Sequence, residues 1–110
     1  MAKFLTLWEI DTTRMSESPE EQIHHQTMLV NLVKEDLKRG ITLDWGMFAG
    51  GELGGYAICE GTEQEITMEN WKYLPYIKFK TYPILSVNQV AGMMPHALGG
   101  RDMGYERKND

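Results

Sequence analysis

The chain has 110 residues, 42% hydrophobic and 25% charged, with 16 acidic side chains against 11 basic ones and a formal charge of −5. That is the composition of one folded, soluble domain, and it argues against both a disordered chain and a strongly cationic DNA-binding surface. No apolar run approaches the length of a membrane span, and Cys59 has no second cysteine to pair with, so a reducing, cytoplasmic setting is expected.

The opening stretch MAKFLTLWEI carries one lysine and a short apolar run. No small-residue cleavage site follows, so it reads as a first strand rather than a secretory signal. Residues 3–10 are apolar or β-prone on both faces, as in a strand covered on two sides. The polar stretch 11–18 connects to a helix. There Ser18 is placed to cap, Pro19 suits the first helical position, and Glu21 stands where a capping box needs it. Ile23, Gln26, Val30, Val33 and Leu37 fall along one helical stripe, widened by Leu29 and Leu32. Lys38 and Arg39 suit the last turn, and Gly40 ends it.

Residues 41–49 alternate, with Ile41, Leu43, Trp45, Met47 and Ala49 on one face, and residues 56–60 form another short strand. The intervening GGELGG is the richest glycine segment of the chain. A phosphate-binding loop needs Lys and Ser or Thr after its last glycine at a helix start, and a dinucleotide fingerprint needs a strand-to-helix turn. Tyr56 and Ala57 follow here and begin a strand, so the segment is expected to be a hairpin connection.

A second helix is predicted from Thr62, with Glu65 completing a capping box and Pro75 ending it. Glu65, Glu69 and Lys72 mark its expected wet face. Ile66, Asn70 and Tyr73 run opposite, with Thr67, Trp71 and Leu74 beside them. Residues 76–85 form a fourth strand, which Pro83 makes an edge strand or brings to an end. Ser86 and Gln89 pair as a third capping box before a short helical stripe of Val87, Val90, Ala91 and Met94, stopped by Pro95. The order β-α-β-β-α-β predicts an α+β, ferredoxin-like sandwich over residues 1–94, with a four-stranded antiparallel sheet, a short C-terminal helix and a polar tail over 95–110.

Two helices cover one face of such a sheet. Leu5, Leu7, Tyr82 and Ile84 would remain on the other. Leaving them wet would forfeit roughly 1.5–3 kcal/mol for each side chain. A homodimer with its sheets packed face to face is therefore expected.

The segments VKEDLKRG, DWGMFAGG, GYAICEGT and YIKFKTYPILSV resemble a family of small uncharacterised prokaryotic proteins. Their fold is similar to the dimeric α+β barrel group. The resemblance spans about Lys3 to Ala91. It implies a dimer and a pocket between helices and sheet. The wider group includes cofactor-free monooxygenases, muconolactone isomerases and haem-degrading enzymes. Fold alone transmits no reaction, and no catalytic residue of those enzymes matches a position here.

The aromatic residues with polar neighbours are the strongest chemical lead. Trp8, Trp45, Trp71 and Tyr73, with Tyr56 and with Asp44 directly before Trp45, are expected to line a cleft between helices and sheet. Asn70 is a polar amide on an apolar stripe. Asn70, Tyr56 and His25 are the candidates to polarise a substrate oxygen or move a proton. The plainer alternative is that the aromatics fill the core and Asn70 bonds nearby backbone.

Other features point to ordinary roles. His24 and His25 are helix neighbours about 100° apart, so surface positions suit them better than joint metal ligation. The eight methionines are scattered, as core fillers are. Cys59 suits a small core residue more than a nucleophile. Lys72, Lys78 and Lys80 alternate with aromatics, a pattern able to stack single-stranded bases, but lysines guarding an edge strand are the plainer reading, and the chain's net negative charge opposes nucleic acid. The expectation is a protein that partners itself and holds a small apolar or aromatic molecule without a cofactor, with no nucleic acid and no membrane involved. The alternative is a non-catalytic dimeric interaction module.

Overall fold

The computed structural model of the chain describes residues 2–97. The element order is β1 (Lys3–Ile10), α1 (Pro19–Arg39), β2 (Thr42–Met47), β3 (Gly54–Glu60), α2 (Glu63–Trp71), β4 (Ile77–Ile84) and α3 (Val87–Ala97). The four strands form one sheet in the order β2-β3-β1-β4, every pair antiparallel. This is the ferredoxin-like α+β arrangement. β4, with Pro83, is an edge strand, where the missing N–H of proline costs no ladder bond. Of the predicted tail, residues 95–97 continue α3, and the rest lies outside the described residues.

Local signals set the helix ends. Ser18 Oγ accepts from the Glu21 N–H, Pro19 opens α1, and Gly40 closes it in the left-handed conformation at φ 82°. The Ser18 box is one-sided, however, because the Glu21 carboxylate accepts from the Ser16 hydroxyl instead of from the Ser18 amide. The Thr62–Glu65 and Ser86–Gln89 boxes are reciprocal. Pro95 does not stop α3, which runs on to Ala97. Its ring already has a helical φ, so its cost there falls on the missing amide hydrogen bond and the crowded preceding turn.

The helix-facing side of the sheet carries Phe4, Thr6 and Trp8 of β1, Gly55, Ala57 and Cys59 of β3, and Ile77 and Phe79 of β4, all in register. Ile66 of α2 packs on Phe4, Ala57 and Cys59. Leu29, Leu32 and Val33 of α1 pack on Trp8, Tyr73 and Ile77. Trp45 touches both groups and joins them.

Three predicted faces shift. In β2 the alternation breaks at a bulge between Thr42 and Asp44, so Thr42 is buried beside Cys59 and Leu43 is exposed. An extra residue on one strand flips the facing of what precedes it. In α1 the inward stripe is rotated: Ile23, Val30 and Leu37 are exposed, and the one fully buried residue is Asp36. In α2 and just past its end, Glu65 and Lys72 are exposed as expected, but Glu69 is half-buried, and Glu69 and Lys72 turn toward α1 and pair with its charges.

The glycine segment joins strand to strand, as predicted. Gly50 and Gly51 take φ values of 110° and 102° at the hairpin tip, a region that L side chains rarely enter. Gly55 serves a different purpose. A Cβ there would stand 2.6 Å from Cζ2 of Trp8 and would also strike the Gly46 carbonyl. The bare backbone of β3 lets the Trp8 indole lie over it and stack on Trp45, with ring centroids 5.2 Å apart and planes within 9°. Replacing Gly55 with Val is expected to cost about 1–3 kcal/mol in urea unfolding and to weaken the near-ultraviolet dichroism of the tryptophan pair. A loss well below that range with an unchanged spectrum would show that the indole has room to move.

Candidate ligand-binding cavity

A cavity of about 130 Å³ lies between α1, α2 and the helix-facing side of the sheet. Its apolar wall includes the stacked Trp8 and Trp45 with Leu29, Val33, Tyr73 and Phe79. Its polar lining includes Asp36, Thr42, Glu69 and Asn70. Gln26, Val30 and Met47 also border it and are exposed, whereas Asp36 and Tyr73 are buried. A mostly apolar hollow with a few convergent polar groups is how small-molecule sites are built.

The polar lining is organised around Asp36, whose side chain is 5% exposed. An ionised carboxylate so far from water needs donors on its oxygens. Oδ2 accepts from the Tyr73 hydroxyl at 2.6 Å. Oδ1 accepts from Lys72 Nζ at 2.5 Å and from Arg39 Nη1 at 3.4 Å. Arg39 also donates to Glu69 Oε2 at 3.3 Å. Lys72 Nζ stands 2.7 Å from Glu69 Oε1, a contact of opposite charges that lacks the angle of a hydrogen bond. Two carboxylates and two cations therefore tie α1 to α2, and their charges cancel.

These surroundings fix protonation. Burial, then the hydrogen bond to Asp36 and the nearby carboxylates, push the Tyr73 phenol far above its ordinary range, so it stays neutral. For Lys72, burial disfavours the charge, but the bonds to Asp36 and Glu69 outweigh it and hold the ammonium above its usual value. Burial also raises the Cys59 thiol, despite its contact with Thr42, so it remains an inert thiol in the core.

Four of the residues singled out from the sequence meet at this cavity: Trp8, Trp45, Asn70 and Tyr73. Asn70 binds a side chain rather than backbone, its amide donating to Thr81 Oγ1 at 3.4 Å. The others lie elsewhere. Tyr56 and Asp44 share the opposite face of the sheet, where the Tyr56 hydroxyl donates to Asp44 Oδ2 at 2.9 Å. That bond, assisted by partial burial, raises the Tyr56 phenol. Trp71 is 64% exposed and borders a separate groove beside Leu74. His25 packs edge-on against Tyr76, in a shallow hollow near Asp11.

Asp36 is the residue that the sequence reading missed. It falls at the helical spacing of Leu29 and Val33, seven and three residues earlier, so a charge stood on the inward stripe. The same oddity singled out Asn70.

Among the described residues, no group of three or more His, Cys, Asp or Glu is placed to hold a metal ion, and no helix is long and apolar enough to cross a membrane. No protein-family model matches the chain, and no curated protein matches it.

Asp36→Ala is expected to lower stability by about 1–3 kcal/mol, the cost of leaving the buried Tyr73 hydroxyl unpaired. Lys72→Met is expected to cost less, about 1 kcal/mol or below, because Lys72 is partly solvated. Equal losses in urea unfolding would contradict a carboxylate-centred cluster. The pH dependence has a definite sign. The Tyr73 pKa is raised on folding, so the associated stability is complete below the unfolded value of 10.0 and is lost as pH climbs beyond it. Lys72 acts in the same direction from 10.5. Wild-type melting temperature should fall above pH 10 more steeply than that of Tyr73→Phe, and parallel profiles would refute the assignment.

Proposed function

We propose that this protein is a homodimer built through the uncovered face of its sheet, and that each subunit holds a small apolar or aromatic molecule between helices and sheet. The observation that carries the ligand reading is the cavity of about 130 Å³ walled by the Trp8–Trp45 stack. An engineered apolar cavity of about 150 Å³ in another protein takes up benzene, so this volume suits a single ring.

The uncovered face supports the dimer reading. Leu5 of β1 stands between Ile58 of β3 and Tyr82 of β4, and Leu7 stands between Tyr56 and Lys80. Leu5, Leu7, Ile58 and Ile84 form a half-buried apolar strip with charged residues around it. Such a strip fits a self-complementary interface. The resemblance to the dimeric α+β barrel group agrees with both halves of the proposal. If the protein is an enzyme, the resemblance favours cofactor-free oxygenation or isomerisation. Asn70 is then the candidate catalytic residue that borders the cavity. A cytoplasmic setting fits the single buried thiol of Cys59. The chain's net charge of −5 weighs against a nucleic-acid partner.

One observation favours the second reading, a non-catalytic interaction module. α3 carries Val87, Val90, Met93 and Met94, all exposed. A partner chain docking there would cover them.

Sedimentation at micromolar concentration should give twice the chain mass, and Leu5→Glu should give the monomer with an intact far-ultraviolet spectrum. A monomeric wild type would end the dimer proposal. Toluene should move the indole N–H resonances of Trp8 and Trp45 in a two-dimensional NMR titration. Unmoved indole signals at toluene saturation would leave the interaction module as the better reading.

A further inference from the structure

We propose that two copies of this chain meet about a twofold axis running along the strands, with Asp44 of each β2 paired to Lys80 on β4 of the other copy. The inference rests on the dimer reading above and specifies how the two sheets face each other.

Strand register lays out the charges of the uncovered face. They are Lys3 and Glu9 on β1, Glu60 on β3, Lys78 and Lys80 on β4, and Asp44 on β2. Lys3 stands directly opposite Glu60, and Glu9 directly opposite Lys78. Those charges are compensated within one chain. Asp44 and Lys80 are left over. Asp44 stands opposite Ile58, and Lys80 stands opposite Leu7. Neither makes an ion pair among the described residues. They differ in sign and lie on the two edge strands, at opposite sides of the sheet. Asp44 is fixed on this face by the Tyr56 hydroxyl and keeps lone pairs for a further donor.

Sheets packed face to face keep their strands within about 30° of each other and lie about 10 Å apart. A twofold axis in the gap therefore runs either across the strands or along them. An axis across the strands lays β4 over β4 and β2 over β2. It brings Lys80 toward Lys80 and Asp44 toward Asp44, and like charges facing each other are destabilising. An axis along the strands reverses the strand order instead. β2 then lies over β4 of the other copy, and β3 lies over β1. Asp44 is level with Tyr82, two residues from Lys80 along β4. That offset is about 7 Å, which a long lysine side chain can span. Symmetry makes the pair twice. Either axis covers the apolar strip of Leu5, Leu7 and Ile58, so the choice falls to the charges.

The test is sedimentation equilibrium of the full chain as wild type, Asp44→Lys, Lys80→Glu and the double variant. Each single reversal sets like charges together at both symmetric contacts. Each should raise the dimer dissociation constant roughly five- to thirtyfold. The double variant should return to within about twofold of wild type, because it restores opposite charges at each contact. An equimolar mixture of the two single variants should give a heterodimer of about wild-type affinity. Loss of the Tyr56 bond in Asp44→Lys cannot mimic this pattern, since Lys80→Glu would not repair it. Single variants that dimerise as well as wild type, with a mixture tighter than either, would place the axis across the strands and overturn the inference while leaving the dimer. A dimer indifferent to all of these changes would overturn it too. Lys80→Glu alone decides between the two axes even if Asp44→Lys fails to fold. A monomeric wild type would overturn this inference and the dimer reading together.

Discussion

A carboxylate in a protein interior is costly unless donors surround it, and Asp36 is almost fully removed from water. Its donors come from two helices that are distant in sequence. Arg39 lies one turn along on α1, while Lys72 and Tyr73 lie just past the end of α2. The need to satisfy this one anion therefore fixes how the end of α1 meets the end of α2. It also orients the Tyr73 ring, which packs against Trp8 and Ile77 and stands edge-on to Phe79. The ring is held at both ends, by a hydrogen bond at the hydroxyl and by packing at its base. A side chain constrained in that way makes a rigid wall, and rigidity is what a preformed site requires.

The second constraint is the close approach of Trp8 to β3. Gly55 removes the side chain that would lift the indole, and the freed plane stacks on Trp45. Trp45 belongs to both core groups, so the stack couples the Phe4 end of the sheet to the Ile77 end. The cavity lies against this stack. Its apolar wall and its polar lining thus come from separate devices, a glycine gap in the sheet and an ion cluster between helices. Large side chains meeting at a glycine gap and a helix contributing a charge instead of a leucine leave volume unfilled, and interiors ordinarily tolerate little of that. The hollow beside the tryptophan stack is the feature on which the proposed ligand-binding reading rests.

The two faces of the sheet divide the candidate chemistry. Odd and even positions of a strand point to opposite sides, so Tyr56 cannot join Ala57 and Cys59 at the cavity. Asp44 follows the same rule after the β2 bulge, and the two polar groups bond each other instead. That pair sits on the face for which a second subunit is proposed. If a dimer forms there, Tyr56 and Asp44 become interface groups, and their bond shields two polar atoms that would otherwise be buried unpaired.

Much of this was readable from the chain itself. Caps at Ser18, Thr62 and Ser86, the stop at Gly40, the proline of the edge strand and the two-residue period of β1 act within a few residues, so they determine the elements and their order. The aromatic character of the site and the singular Asn70 were visible for the same reason. Three things depended on tertiary structure. A bulge between Thr42 and Asp44 depends on pairing with β3, which no local pattern reports. The rotation of α1 that buries Asp36 depends on donors supplied 36 and 37 residues later. The glycines at 54 and 55 looked like loop punctuation but lie within a strand, where Gly54 leaves room for the Trp8 carbonyl and Gly55 for the Trp8 indole, both from a strand far earlier in the chain. Local signals specify what each segment becomes, whereas burial, charge satisfaction and close approach are decided only when distant segments meet.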